Sequence, residues 1–173
     1  PHERLMPHDS ALFGRLENGL RYVIVPNAKP EGRVSLHLDV QAGSLMETDE
    51  QRGLAHFVEH MAFNGSRHFA PGTLIPFLQR NGMAFGADAN AHTSTAETVY
   101  KLDLPAADPA TIEKGLLILR DVADGLLILP EEVEKERGVI LAEKLARDNR
   151  KSRASKAMRD ALYSGTRYAF ETI

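Results

Sequence analysis

The 173-residue sequence contains no cysteine, which removes a thiolate nucleophile, an iron–sulfur cluster and any cysteine-ligated zinc from consideration. A metal would therefore have to rest on His, Asp or Glu side chains. The same absence says little about compartment, because a protein can do without disulfides anywhere. An excess of positive charge is also lacking. Lys and Arg total 21 against 24 Asp plus Glu, a formal net charge of -3, so there is no electrostatic footprint for nucleic acid or an anionic membrane and neither partner is expected. No apolar run approaches the roughly 20 residues that cross a bilayer, and Pro1-His2-Glu3-Arg4 lacks a signal-peptide pattern. A chain that opens on Pro1 is expected to be trimmed or processed, with any address signal already gone. Internal repeats and low-complexity linkers are missing too. What remains, 43% hydrophobic, 26% charged and 6% aromatic residues, is the composition of an ordinary globular chain. At this length folding buries roughly 70% of the unfolded surface, so one domain without staples is the default.

Periodicity places the elements. The β-branched and aromatic run Leu20–Val25, closed by Pro26, predicts a strand, and the alternation over Val34–Val40 predicts a second, so a hairpin is expected over 20–41. Leu54, Phe57, Val58 and Met61 fall at helical spacing, which predicts a helix over Gly53–Phe63 stopped by Asn64-Gly65. A shorter helix is expected over Thr73–Arg80, ended by Asn81-Gly82. The small-residue stretch Ala84–Ala91 reads as extended, and Thr98–Leu104 as an alternating strand. Asp108-Pro109 opens a helix running through Leu129, whose stripe Leu116, Leu119, Val122 and Leu126 is assigned to the core. Pro130-Glu131-Glu132 opens another, to about Asn149, and a basic helix-compatible stretch covers Arg150–Arg159. No closing element follows before Thr172-Ile173. The order predicts an α+β fold, a mostly antiparallel sheet with helices on one face.

His56-Phe57-Val58-Glu59-His60 carries the chemistry. On a helix His56 and His60 lie one turn apart on one face, where two imidazoles can converge on an ion. Glu59 lies beside the pair and can reach a water on that ion without being a ligand. A catalytic zinc uses three protein ligands and keeps a fourth position open for a water whose pKa it lowers to about 7, for which Glu59 would be the base. The bland alternative is a helical His pair satisfied by ordinary hydrogen bonds; the inverted zincin pattern is the sharper reading. A third ligand must come from another element. On the helix from Pro130, Glu136 and Glu143 stand two turns apart on one face with Ile140 between them. A stripe that buries two carboxylates needs a cation or donors, so one could ligate while the other holds a ligand or the network around it. Spacing alone leaves open that both are solvated beside Lys135, Arg137 and Lys144.

The run His56–Gly65, followed by Asn90-Ala91-His92-Thr93-Ser94, by Glu97-Thr98-Val99-Tyr100, and by Glu136-Arg137-Gly138-Val139-Ile140 with Glu143, resembles the pitrilysin/insulysin/mitochondrial-processing-peptidase family of zinc metallopeptidases. Asn18-Gly19-Leu20-Arg21 and Gly43-Ser44 join the resemblance, which spans nearly the whole chain. The stretch Gly82–Asn90 looks most like the periplasmic bacterial branch. The resemblance implies one zinc ion, His56 and His60 as ligands, Glu59 as general base, Glu143 as third ligand and Glu136 as supporting acid. The interval from His60 to Glu143 is several residues longer than the family usually shows, and Glu136 falls where spacing alone would put the ligand. The local pattern Glu-Arg-x-Val-Ile-x-x-Glu nevertheless assigns the ligand to its second Glu, and extra residues around 82–90 and 104–108 account for the surplus. The resemblance also implies that Phe85–His92 is an edge strand to which an extended substrate adds, with Ala89, Asn90 and Ala91 at the contact.

The reading that follows is an N-terminal catalytic metallopeptidase domain over 1–173, incomplete at its C-terminal end. Its partners would be a peptide substrate and a homologous second half or partner subunit closing a chamber, and its location periplasmic. A non-catalytic scaffold or assembly subunit of the same fold is the alternative, and a metal-dependent hydrolase of non-peptide substrates a third. His37, His68 and His92 read as surface or hydrogen-bonded residues. The basic run Arg147, Arg150, Lys151, Arg153, Lys156 and Arg159 reads as a solvated helix face.

Overall fold

The computed structural model describes residue 6 and residues 8–169, so Pro1–Arg4 and Thr172-Ile173 lie outside the described residues. The chain divides into two compact units, Pro1–Arg33 and Val34–Ile173. In the first, β1 (Leu12–Arg15) pairs antiparallel with β2 (Arg21–Ile24). The second carries a three-stranded antiparallel sheet in the order β3 (Val34–Val40), β5 (Thr98–Leu104), β4 (Ala89–Thr93). Its helices are α1 (Leu54–Met61), α2 (Leu74–Arg80), α3 (Pro109–Asp124), α4 (Pro130–Arg147) and α5 (Arg150–Leu162).

The hairpin expected over 20–41 is replaced by two other pairings, β2 with β1 and β3 with β5. The reason is local. Gly19 takes φ +92, which lets Leu16 N–H reach the Leu20 carbonyl at 2.8 Å and closes a tight β1–β2 turn. β1 escaped notice because Leu-Phe-Gly-Arg is short and centred on a poor strand former; the Tyr22 ring lies over Gly14 across the pair.

β5 is the spine of the second unit. Thr98, Tyr100, Leu102 and Leu104 are buried while the residues between them are not, as period two requires of a sheet covered on one face. The core cluster joins Tyr100, Leu102 and Leu104 to Ala62, to Leu74 and Leu78 of α2, and to Ile118 and Leu119 of α3. The opposite face carries Ser35, His37, Lys101 and Asp103, linked by Ser35 Oγ to Asp103 at 2.6 Å and Lys101 to Asp103 at 2.6 Å. The α+β arrangement with helices on one face thus follows from alternation in one central strand.

Three expectations need correction. Residues 84–88 form a turn rather than a strand: Asp88 and Ala89 N–H both bond to the Ala84 carbonyl, and only from Ala89 does pairing with β5 begin. The helix from Asp108 stops at Asp124 instead of Leu129, because Gly125 closes it and Leu126 bridges to Ser66. Leu116 is half exposed and the inner stripe runs through Gly115, Ile118 and Leu119; a side chain at Gly115 would crowd Leu36 and Leu104, so the glycine permits close approach of α3. The expected start holds, with Asp108 accepting Thr111 N–H at 3.0 Å.

Helix α1 has only eight residues, too few to stand alone, and its N-terminus is held from outside. Gly53 precedes it at φ +89, and Glu47 accepts Gly53 N–H at 2.9 Å and Ala55 N–H at 2.8 Å. A carboxylate there satisfies two orphan donors and faces the positive helix end. At the far side the buried Asp121 of α3 accepts Ser66 Oγ at 2.6 Å and both His68 N–H and His68 Nδ1 at 2.8 Å. Burial pushes the Asp121 carboxyl up, but the Ser66 and His68 donors outweigh it and hold it below its ordinary value.

Replacing Glu47 with Ala should lower stability by about 1–2 kcal/mol in urea unfolding, through loss of the α1 cap. Leu104→Ala, at a fully buried position, should cost about 2–5 kcal/mol by the same measurement.

Candidate metal centre

The side chains of α1 that point away from the core cluster meet α4 and the end of β4. His56 and His60 are edge-to-face, ring centroids 4.6 Å apart, with their Nε2 atoms 3.2 Å from one another. Glu143 of α4 brings Oε2 to 3.3 Å from His60 Nε2 and 3.8 Å from His56 Nε2. Among the described residues His56, His60 and Glu143 are the one group of three or more able to hold a metal, with ligand atoms all within 4.8 Å. Ile140, on the same face, is the one buried residue of α4, and α4 packs against α1.

Glu136, two turns earlier, does different work. Its Oε1 lies 2.7 Å from His60 Nδ1, and its Oε2 accepts Asn64 Nδ2 at 2.5 Å. A carboxylate only accepts, so in the neutral ring of His60 the proton sits on Nδ1 and Nε2 presents a lone pair. That lone pair faces the Glu143 carboxylate at 3.3 Å, an arrangement of two acceptors that repel unless a cation lies between them. A tetrahedral ion with bonds of about 2.1 Å spaces its ligand atoms about 3.4 Å apart, and the three separations here, 3.2, 3.3 and 3.8 Å, bracket that value. Donor set and spacing thus fit a single zinc ion.

Burial, and then the neighbouring His60 imidazole, hold His56 below the ordinary histidine value, so its ring stays neutral and able to ligate. Its Nδ1 is buried with no hydrogen-bond partner among the described residues, so no acid orients this ring from behind as Glu136 does that of His60. Glu59, nine-tenths buried on α1, accepts the Thr93 hydroxyl on Oε2 at 2.6 Å. All four residues line a cleft of about 270 Å3 with Asn90, Ala91, His92, Thr93 and Arg147. Nearby, burial and then the Glu59 charge push the Tyr100 hydroxyl up to about 12.

Ala89 drops out of the expected substrate contact. It is fully buried, its N–H bonds to Ala84 and its carbonyl accepts Gly86 N–H at 2.8 Å. The turn over 84–88 therefore covers that end of the edge. Asp103 N–H bonds to the Asp88 carbonyl, so by antiparallel alternation Asn90 and His92 face β5 while Ala91 and Thr93 turn their backbone groups to the open edge. Asn90 is exposed, and its Oδ1 already accepts Ala91 N–H at 2.9 Å.

Arg147 is exposed, as expected of a solvated helix face, but it is also ion-paired with Glu143 and lines the cleft. Its i+4 spacing from Glu143 was the available signal. Asn64, Thr93 and Glu47 carried none beyond sitting in or near the motifs. Of the lone histidines, His68 pairs with Asp121 and His37 with Ser35, while His92 lies 3.9 Å from Glu97.

The fold and this site define a class, that of α+β domains bearing a His-x-x-Glu-His helix opposed by an acidic helix. Residues 22–172 match the family described as Insulinase (Peptidase family M16), and the chain belongs to that family. It is 40% identical over 163 residues to the probable zinc protease PqqL of Escherichia coli (strain K12), a match covering 94% of this chain and 18% of that one. It is 35% identical over 157 residues to the zinc protease PQQL-like of Arabidopsis thaliana, covering 91% and 16%. The crystal structure of the first half of the periplasmic protease PqqL from Escherichia coli superposes with a TM-score of 0.91 at 39% identity, over 95% of this chain and 35% of that one. The chain thus spans under a fifth of the length of these curated relatives. No helix among the described residues is long and apolar enough to cross a membrane.

Because the folded His56 resists protonation, the metal-free protein should be at full stability above the unfolded histidine value of about 6.5 and lose stability as pH falls below it, until the depressed folded value is passed. Urea titrations from pH 8 to 5 should show this decline and show it flattened in His56→Asn.

Proposed function

We propose that the chain is the N-terminal, catalytic part of a larger zinc endopeptidase that hydrolyses peptide bonds in extended peptides or small unfolded proteins. The observation that carries this reading is the convergence of His56 Nε2, His60 Nε2 and Glu143 Oε2 within one cleft that Glu59 also lines. His56, His60 and Glu143 would hold one zinc ion, with Glu136 fixing the tautomer and ring plane of His60. Bound there, zinc supplies Lewis acidity to a carbonyl oxygen and acidifies a water. Glu59 takes the proton of the attacking water on Oε1, which accepts no hydrogen bond from the described residues, and passes it to the departing amine nitrogen. The open edge of β4 at Ala91 and Thr93 would hold the substrate as an added strand, which fixes the scissile bond whatever its sequence; the Asn90 side chain now on Ala91 N–H would give way to a substrate carbonyl.

The matched relative described as the first half of a periplasmic protease supports two further parts of the reading: a homologous second half that closes over the cleft, and a periplasmic location. The 173 residues are read as a metallopeptidase domain incomplete at its C-terminal end, so the piece alone is expected to bind zinc and to cleave little. Retention of His56, Glu59, His60 and Glu143 together supports the catalytic reading over that of an assembly subunit with the same fold.

Metal analysis and peptide cleavage in the complete protein test the assignments. Glu59→Gln should keep one zinc and lose turnover by about 100-fold or more. Glu143→Ala should lose the metal, whereas Glu136→Gln should retain it with affinity lowered about 10- to 100-fold. Loss of zinc from Glu136→Gln with Glu143→Ala still loaded would reverse the ligand assignment.

A further inference from the structure

Thr93 is the last residue of β4 and pairs with Thr98, the first of β5. Its hydroxyl lies 2.6 Å from Glu59 Oε2, and because a carboxylate only accepts, the single hydroxyl proton of Thr93 is committed to Glu59. The position of Thr93 is itself fixed. Thr98, buried, donates its hydroxyl to the Ala42 carbonyl at 2.9 Å and lies 3.4 Å from Thr93 Oγ1. The segment containing Ala42 is clamped to the β4–β5 turn in turn: Leu45 N–H bonds to the Thr95 carbonyl at 2.9 Å, and any side chain on Gly43 would collide with the Ser94 carbonyl oxygen.

We propose that Thr93 is the positioning residue of the general base: anchored at the β4–β5 turn, its hydroxyl holds Oε2 of Glu59 and so leaves Oε1 as the oxygen that works in the cleft. The inference rests on the reading of Glu59 as base and adds a coupling to it. The strand whose open edge would receive the substrate and the carboxylate that would take the proton are joined through one side chain, so a shift of β4 re-aims Glu59. A charge-assisted hydrogen bond of this length fixes a rotamer that water would otherwise share among several. Valine at 93 keeps the shape of threonine and removes the hydroxyl; serine keeps the hydroxyl and removes a methyl.

The experiment uses Thr93→Val and Thr93→Ser in the complete protein, with zinc content, kcat and KM on a peptide substrate, and thermal unfolding after metal removal. Thr93→Val should keep zinc at the wild-type level and KM within about 2-fold, and lower kcat about 10- to 100-fold, the scale expected when a reacting group is misplaced. Thr93→Ser should recover most of kcat. In the metal-free protein Thr93→Val should lower Tm by about 3–6 °C when Glu59 is present and far less in the Glu59→Ala background. Wild-type kcat in Thr93→Val, a serine variant no better than valine, a rise in KM with kcat intact, or the same Tm loss in both backgrounds would each overturn the proposal. A wild type that binds zinc and cleaves no peptide would instead defeat the peptidase reading, and the Tm comparison would still decide whether Thr93 grips Glu59.

Discussion

Two electron-rich atoms, Nε2 of His60 and Oε2 of Glu143, face each other at 3.3 Å with the Nε2 of His56 beside both, an arrangement whose mutual repulsion a shared cation would relieve. Much of the second unit serves this encounter. α1 is too short to persist unaided, so Glu47 caps its start and Asp121 of α3 fastens the segment that leaves it. α4 packs against α1 and brings Glu136 to Nδ1 of His60 and Glu143 to the Nε2 atoms of both imidazoles.

Two carboxylates line this cleft and a third, Glu136, stands behind His60, and each is distinguished by its partners. Glu136 turns one oxygen to His60 and the other to Asn64. Glu143 gives one oxygen to Arg147 and turns the other to the imidazoles. Glu59 gives one oxygen to Thr93 and accepts no hydrogen bond on the other from the described residues. Three identical side chains are thus told apart by the donors each meets, which is the basis for proposing an orienting acid, a ligand and a base. The Glu59 and Glu143 charges favour protonation of His56, but burial and the neighbouring His60 imidazole outweigh them and hold its pKa down, which keeps the lone pair available.

The sequence disclosed the parts whose signal is local. Helical spacing exposed α1 and placed His56 and His60 on one face, Asp108-Pro109 marked the start of α3, and alternation from Thr98 to Leu104 marked the strand that carries the core. Errors fell where a distant partner decided the outcome. The alternating β3 was matched with its neighbour in sequence, although β5 lies across from it in the fold. Ala84–Asp88 has the small residues of an edge strand, yet Ala84 collects several N–H groups in a turn. Leu116 fits a helical stripe but falls just outside the arc that α3 presents to the sheet, where Gly115 is needed for contact with Leu36 and Leu104.

Residue identity and spacing by themselves determined the chemistry on offer: with no cysteine and a His-x-x-Glu-His helix, the chain had imidazoles and carboxylates as its means of holding a metal. They also fixed that Glu136 and Glu143 share a helix face, because helical geometry is a property of the backbone. Which of the two faces the Nε2 atoms and which bonds to Nδ1 of His60 was decided only when α4 packed against α1. The same holds for Thr93 on Glu59, since a hydrogen bond between groups far apart in sequence depends on angströms that no local pattern encodes.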